Sequence, residues 1–351
     1  MKHDLQTFIQ YNEKKLTEYT VFIVCNLKKE NSVEISNYEN FNIATEYLSD
    51  SEFHEVLSLF KQCNLHEIKI FDNEISFIKF ILKNINKIDK SRTIVYNSAQ
   101  SGTGVGRKSL IPSFCNLEQL LCTGSNAYVV SLCRHKYHIN KLLYNAGFSV
   151  PSTYIYYHDW LFNEEPDYNK KYLLKPIYES ASIGIDKNSL IDYNTNSIQL
   201  LKNKVSELSQ PIIAQEFIPG YEIEFPIYIH NNRFYPLIPV GLHIDKNNFN
   251  MQYNFLDYKT IYSDSYHFYN FNNIGKLPKN MDNVLKSIAE LLGLNGLCRI
   301  DFRISNNGNY YITDVSTNPH FISHSSVNFA FQTLNIPENF IIKSILLSAI
   351  K

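Results

Sequence analysis

The densest run of chemistry-bearing side chains in this 351-residue sequence is Cys298-Arg-Ile-Asp-Phe-Arg-Ile-Ser-Asn-Asn-Gly-Asn-Tyr-Tyr-Ile-Thr-Asp-Val-Ser316. Asn307-Gly308 favours a two-residue type I′ turn between antiparallel strands. Centring the turn there sets Asp301 opposite Asp314 and Arg299 opposite Ser316, all on one face, because strand side chains alternate. Facing carboxylates repel unless a proton or cation lies between them. A hard-oxygen pair of this kind suits Mg²⁺, which is often bound by one or two carboxylates together with substrate phosphates. Arg299 beside them is placed to neutralise a phosphoryl group in transfer. The same residues also fit a surface hairpin with solvated carboxylates and a simple Arg–Asp pair, since a one-residue slip would separate the two acids.

Two other segments carry weaker signals. In Tyr172-Leu-Leu-Lys175-Pro176, followed by Ile177-Tyr-Glu179-Ser180-Ala-Ser182-Ile-Gly184, a lysine ends an apolar strand and a small-residue loop follows. That arrangement can set an ammonium and backbone N–H groups around phosphate oxygens, although an exposed strand-end lysine is the commoner outcome. Gln215-Glu216-Phe217-Ile218-Pro219-Gly220-Tyr221-Glu222 reads as a strand that stops at Pro-Gly and resumes with an acid. It fits either a connector facing a nucleobase and ribose or an ordinary turn. The loop Gly102-Thr-Gly-Val-Gly106 lacks both GxGxxG spacing and the Walker Lys-Ser/Thr pair, so it is expected to be a flexible ligand-side loop. No GxSxG nucleophile elbow occurs, and His320 and His324 read as packing or turn residues.

The elements that must position these residues alternate in type along the first third of the chain. Strand-like runs at Val21–Asn26, Glu67–Phe71 and Thr93–Asn97 are separated by helix-like stretches over 40–62 and 74–87, which implies a parallel sheet with its ligand edge at the strand C-termini. A helix over 126–146 follows, then a strand at Tyr172–Pro176, a helix over 195–208 and a strand at Ile212–Phe217. Strands at Glu222–His230 and Phe234–Val240, a helix over 281–292 and the hairpin complete the chain. The fold class is α/β followed by α+β, with boundaries at 1–124, 125–217 and 218–351. Balanced charge, 33 Lys+Arg against 34 Asp+Glu, argues against a nucleic-acid or acidic-membrane binder. A content of 44% apolar and 14% aromatic residues excludes a disordered chain. The six cysteines lack CxxC spacing and read as free thiols of a reducing compartment. With no apolar leader after Met1 and no long apolar run, the expectation is a cytoplasmic protein.

In order and spacing, these segments resemble the ATP-grasp superfamily, and within it the D-alanine–D-alanine ligase-like carboxylate–amine ligases, from about Ile94 to Leu347. The resemblance is carried by Thr123-Gly124-Ser125, Lys136 ahead of Ala146-Gly147, Lys175-Pro176 with the loop to Gly184, and Gln215–Glu222. Phe255-Leu-Asp-Tyr, Arg299-Ile-Asp301-Phe, Asp314-Val-Ser-Thr-Asn-Pro319 and Ser323-His-Ser325 complete it. It implies three domains: an N-terminal open parallel sheet on the substrate side, then two α+β domains that grip ATP. Lys136 and Lys175 would hold phosphates, with Ser180 and Ser182 in a mobile lid. Gln215, Glu216, Phe217 and Phe255 would line the nucleotide, and Glu222 would meet the ribose. Asp301, Asp314 and Ser316 would bind two Mg²⁺, with Mn²⁺ as the alternative metal. Arg299 would stabilise the transferred phosphoryl group, Ser325 would meet the second substrate's carboxylate, and Glu34 would orient the first substrate's amine. The implied reaction phosphorylates a carboxylate and lets an amine attack the acyl phosphate. Such work is charge neutralisation and positioning rather than covalent catalysis.

The departures from the family pattern fall on the substrate and metal side. Asp314 and Ser316 stand where Glu and Asn are usual, Ile261 replaces a lysine, and Ala181 removes a loop hydroxyl. Gln100 takes the place of an N-terminal His, and His320 that of a Gly. The expectation is therefore an ATP-dependent ligase acting on amino acids or an amino-acid-derived metabolite other than the D-alanine pair. The alternatives are an authentic D-alanine–D-alanine ligase and a non-catalytic ATP-binding pseudoenzyme. The expected partners are small-molecule carboxylate and amine substrates, with neither nucleic acid nor membrane, and the resemblance adds a homodimer formed through the N-terminal domain.

Overall fold

A computed structural model describes residues 2–28, 46–244 and 248–350. Glu34 lies outside the described residues. After α1 (Lys2–Asn12), strands β1 (Thr20–Val24), β2 (Glu67–Phe71), β3 (Thr93–Asn97) and β4 (Leu121–Cys122) form a parallel sheet in the order β2-β1-β3-β4. Helices α2 (Asp50–Lys61), α3 (Glu74–Asn84) and α4 (Leu110–Leu117) alternate with its strands. Every residue of β3 is buried, as a strand covered on both faces should be. Of the helix expected over 40–62, residues 40–45 lie outside the described residues, and α2 starts at Asp50: Leu48 bridges to Leu27, and Ser49 and Glu52 close a reciprocal capping box that fixes the start.

The single helix expected over 126–146 is two helices, α5 (Ala127–Arg134) and α6 (Lys136–Asn145). His135 interrupts them with extended backbone at φ −90°, ψ 91°, and its ring nitrogen accepts from the N–H of His138. The break places Lys136 at the first turn of α6, with its own N–H donated to the carbonyl of Ile177.

The second sheet is antiparallel, in the order β6-β5-β9-β7-β8, from β5 (Thr153–Tyr157), β6 (Asp159–Trp160), β7 (Lys171–Pro176), β8 (Leu190–Asp192) and β9 (Ile212–Glu216), with α7 (Ser197–Leu208) between β8 and β9. The third sheet contains β10 (Gly220–His230), β11 (Arg233–Pro236), β12 (Val240–His243), β13 (His267–Asn270), β14 (Gly296–Ser305) and β15 (Tyr310–Ser316), ordered β13-β12-β10-β14-β15 with β11 on β10. Helices α8 (Tyr258–Tyr262), α9 (Met281–Leu292), α10 (Ser326–Thr333) and α11 (Asn339–Leu347) accompany it. The expected strand 234–240 is interrupted between Pro236 and Val240, where Pro236 and Pro239 lack the N–H that a continuous ladder needs.

Two cores tie these layers together. Val129 and Cys133 of α5 and Ile139 and Leu143 of α6 pack with Ile300, Ile312 and Val315 of the β14–β15 hairpin. Burial of that kind contributes roughly 1.5–3 kcal/mol per large aliphatic side chain, and it fixes α6 over the hairpin. The other core joins Leu5, Ile9, Val21, Ile23, Phe60 and Ile94 to Ile341, Ile342 and Leu346, so α11 closes the first sheet. All six cysteines are free. Among the described residues, no helix is long and apolar enough to cross a membrane.

Candidate active site

The hairpin pairing is the one expected: Asp301 faces Asp314 and Arg299 faces Ser316. The turn is not. Gly308 donates to the carbonyl of Ser305, Ser305 donates to the carbonyl of Asn309, and only Gly308 of the loop has positive φ, at +86°. This is a type I turn followed by a left-handed glycine rather than a type I′ turn. Nearer the turn Phe302 faces Ile312, and a bulge at Thr313 restores the pairing of the two aspartates.

Asp301 also faces Glu224 on β10, so three carboxylates lie in a row across β10, β14 and β15. Arg299 holds the middle of that row. Its Nε and Nη2 donate to the two Asp301 oxygens at 2.7 and 2.8 Å, and its Nη1 lies 2.9 Å from Glu224. Burial, with Glu224 and Asp314 nearby, pushes the Asp301 carboxyl above its ordinary range, while the Arg299 fork pulls the other way. At the end of the row, Lys136 Nζ lies 3.6 Å from Asp314 Oδ2. Burial opposes ionisation of Asp314, but Lys136 and Lys175 outweigh it and hold this carboxyl below its usual range.

Lys175, on β7, donates to Gln215 Oε1 on β9 at 2.8 Å. Burial lowers its pKa, and it feels Glu222, Lys136 and Asp314 electrostatically. The structure thus brings together Lys136, Lys175, Gln215, Glu222, Arg299, Asp301, Asp314 and Ser316. Mg²⁺ fits this donor set, because two facing carboxylates and the Ser316 hydroxyl are hard oxygen donors. Phosphate oxygens would complete the shell of an ion held this way.

On the connector, the N–H groups of Glu216 and Phe217 are donated to Ser152 and Lys171 carbonyls, so both are committed within the fold. Tyr253 and Phe255 pack on the Phe217 ring. Arg303, which the sequence reading missed, organises this region. Its Nη1 is 2.8 Å from Glu222, its Nε donates to the Ile218 carbonyl at 2.9 Å, and its guanidinium carbon lies 4.7 Å from the Phe217 ring centre. The signal was available, because Arg303 faces Glu222 once β10 and β14 are paired.

The loop after Lys175 is tied down at both ends. Ser180 Oγ donates to Glu46 and accepts from Arg134 Nη1, while Ser182 Oγ donates to the Leu256 carbonyl at 2.7 Å. Gly184 sits at φ +78°, where a Cβ would come within 2.8 Å of Leu208. Ser325, by contrast, is the N-cap of α10, where its Oγ accepts from the N–H of Asn328. Glu46 was not anticipated either. It is buried against Arg107, Lys108 and Arg134, and the side-chain amide of Gln100 donates to its carbonyl.

Residues 158–346, more than half of the chain, match the family described as "D-ala D-ala ligase C-terminus". The chain belongs to that family, whose ATP-grasp architecture its three sheets display. Among curated relatives, a D-alanine–D-alanine ligase of Trichlorobacter lovleyi is 23% identical over 217 residues, which is 61% of this chain and 64% of that enzyme. One from Wolbachia pipientis subsp. Culex pipiens is 24% identical over 248 residues, 68% and 72% of the two chains. The match therefore spans less than two thirds of the Trichlorobacter enzyme. The fold alone extends further. The D-alanine–D-alanine ligase of Bacillus anthracis complexed with ATP superposes with a TM-score of 0.65 at 12% identity, covering 94% of this chain and 97% of that one. The VanG D-Ala:D-Ser ligase of Enterococcus faecalis gives 0.64 at 14% identity, covering 95% and 100%.

Proposed function

We propose that this chain is an ATP-dependent, ADP-forming carboxylate–amine ligase acting on amino acids or amino-acid-derived small molecules. The observation that carries the reading is the charge arrangement around Asp314: Lys136 lies 3.6 Å from this carboxylate, Lys175 from a separate element acts on it electrostatically, and Arg299 holds the middle of the row that it ends. Such a cluster is preset for a polyphosphate and its metal. In this reading residues 125–217 and 218–351 grip the nucleotide, and residues 1–124 face the substrates.

Lys136 and Lys175 bind phosphate oxygens, and Asp301, Asp314 and Ser316 hold Mg²⁺, which supplies charge neutralisation at the phosphates when bound. Glu222, oriented by Arg303, is the acid for the ribose. A substrate carboxylate oxygen attacks the γ-phosphorus, the bond to the bridging oxygen of ADP breaks, and an acyl phosphate forms beside Arg299. An amine nitrogen then attacks the acyl carbon, phosphate departs, and the amine gives up a proton. The test is ADP release with Mg²⁺-ATP against pooled D- and L-amino acids and peptides, run beside Asp301→Asn. Release that requires both a pool and Asp301 supports the ligase. Release with D-alanine alone would point to the authentic D-alanine–D-alanine ligase. ATP binding without release under every pool would favour a pseudoenzyme, a reading supported by the hold of Arg299 on both Asp301 oxygens.

A further inference from the structure

Helix α7 carries a lysine whose side chain is only 4% exposed, Lys204. Its Nζ donates to the Gly184 carbonyl at 3.2 Å and lies 3.6 Å from Asp186 Oδ2. Asp186 is half-exposed, and its other oxygen accepts from the N–H of Asn188 and from Ser189 Oγ. A lysine is rarely buried to this degree, because its ammonium loses hydration, and an apolar residue of the same length would pack at less cost. The ammonium matters for what it holds, which is the end of the loop that follows Lys175. In that loop Ala181 and Ser182 both have positive φ, at +50° and +52°, which non-glycine residues seldom adopt, and Gly184 follows at +78°. Backbone N–H groups in a turn of this kind form a concavity that takes an anion. Ser180 is bound by Glu46 and Arg134, Ser182 by the Leu256 carbonyl and Gly184 by Lys204. Gly184 also packs so tightly on Leu208 of α7 and on Pro176 that a Cβ would lie 2.8 and 2.9 Å from them. Leu201 and Val205 of the same helix are buried in one core with Leu174, so α7 backs both the strand that carries Lys175 and the loop after it.

We infer that Lys204 is a positioning residue for the polyphosphate end of the nucleotide: from behind, it fixes the Gly184 end of the loop and so keeps residues 181–184 in the strained turn that receives phosphate. The inference rests on the nucleotide reading above. Lys204 itself touches no substrate atom and acts only through the loop. Asp186 supplies the negative charge that keeps the ammonium beside the Gly184 carbonyl instead of letting it swing out to water. Loss of either group relaxes the turn, and the phosphates lose the N–H groups that the turn gathers. The adenine and ribose, bound away from this loop, are indifferent to it.

Binding of Mg²⁺-ADP and of adenosine is measured by calorimetric titration in the wild type, in Lys204→Met and in Asp186→Asn. Adenosine offers the base and ribose but no phosphate for the loop. Methionine follows the lysine stem in length and flexibility, so Lys204→Met keeps the packing and removes the ammonium. It is expected to weaken Mg²⁺-ADP about tenfold or more, the scale of losing a hydrogen bond from a charged group, and to leave adenosine binding as in the wild type. Asp186→Asn changes a half-exposed residue and should weaken Mg²⁺-ADP with the same selectivity. An unchanged affinity for Mg²⁺-ADP in Lys204→Met would show that the loop keeps its shape unaided and would overturn the inference. Equal losses for ADP and adenosine would overturn it as well, because they would make Lys204 a support of the whole domain. Should Lys204→Met not fold, the same comparison in Asp186→Asn decides. A wild type that binds neither ligand removes the nucleotide reading and this inference together, whereas a wild type that binds both, with variants that lose neither, removes this inference alone.

Discussion

Asp301 and Asp314 stand opposite one another on β14 and β15, although the pairing next to the turn is one residue out of register with theirs. The bulge at Thr313 absorbs the difference. Without it, the side chain of Asp314 would leave the face that carries Arg299 and Asp301, since strand side chains alternate.

Asp301→Asn removes one charge from the middle of the row and leaves Arg299 paired with Glu224 alone. Metal-dependent ADP release is expected to fall by about 100-fold or more, the scale of losing a charge that acts in the transition state. Stability should drop by only about 1–3 kcal/mol, because the guanidinium keeps an acceptor. Turnover titrated against Mg²⁺, beside a urea melt, measures both. Near wild-type turnover would remove Asp301 from the metal site.

Lys175→Ala leaves the fold intact, since the lysine's hydrogen-bonded partner is the neutral Gln215. ATP affinity is expected to weaken about tenfold or more, or ~1.4 kcal/mol, in a direct nucleotide titration. An unchanged Kd would take this lysine out of the phosphate site.

Glu46 sets an acid limit on stability. Burial works against its ionisation, but Lys108, Arg134 and the Ser180 hydrogen bonds outweigh it and bring its pKa from 4.5 down to about 2. A carboxylate lowered on folding contributes in full above its unfolded pKa and loses that contribution as pH falls through the folded one. The window is therefore between pH 4.5 and 2, with about 3 kcal/mol at stake. Urea melts across that range should show a steep acid limb in the wild type and a flatter one in Glu46→Gln. Equal slopes would mean the carboxylate is not held as described.

Gly220→Ala tests the junction between the connector and β10. At φ +147° an added Cβ would sit 2.1 Å from the Ile304 carbonyl oxygen, so backbone must move. A loss of about 2–3 kcal/mol or more is expected, with nucleotide affinity falling as the strand start shifts. A Tm within one degree of wild type would show that the strand ends can slide apart freely.

Much of the fold was legible locally. The extended runs of β1, β3 and β7 announce themselves by apolar content, and the helix over 281–292 by its period and its terminal Gly293. The aspartate pairing was reached from a turn type the chain does not adopt: two one-residue offsets, at the turn and at Thr313, compensate. What escaped the sequence was the long-range chemistry. Glu46, Arg107, Arg134 and Glu179 meet from separate elements, and no spacing rule links them. The break at His135 was hidden because residues on both sides favour helix, and it is held by the His135 ring capping the His138 N–H and by the handover of the Lys136 N–H to Ile177.

The placement of α11 against β3, α1 and α2 also bears on how the chain is made. The parallel sheet leaves the ribosome early, but the apolar residues that cover it, Ile341, Ile342 and Leu346, are translated after both other sheets. At about 5–20 residues per second, the sheet waits on the order of 10–40 s with one face covered only in part, by α1 and α2. During that interval it is the part of the nascent chain with most to gain from a chaperone.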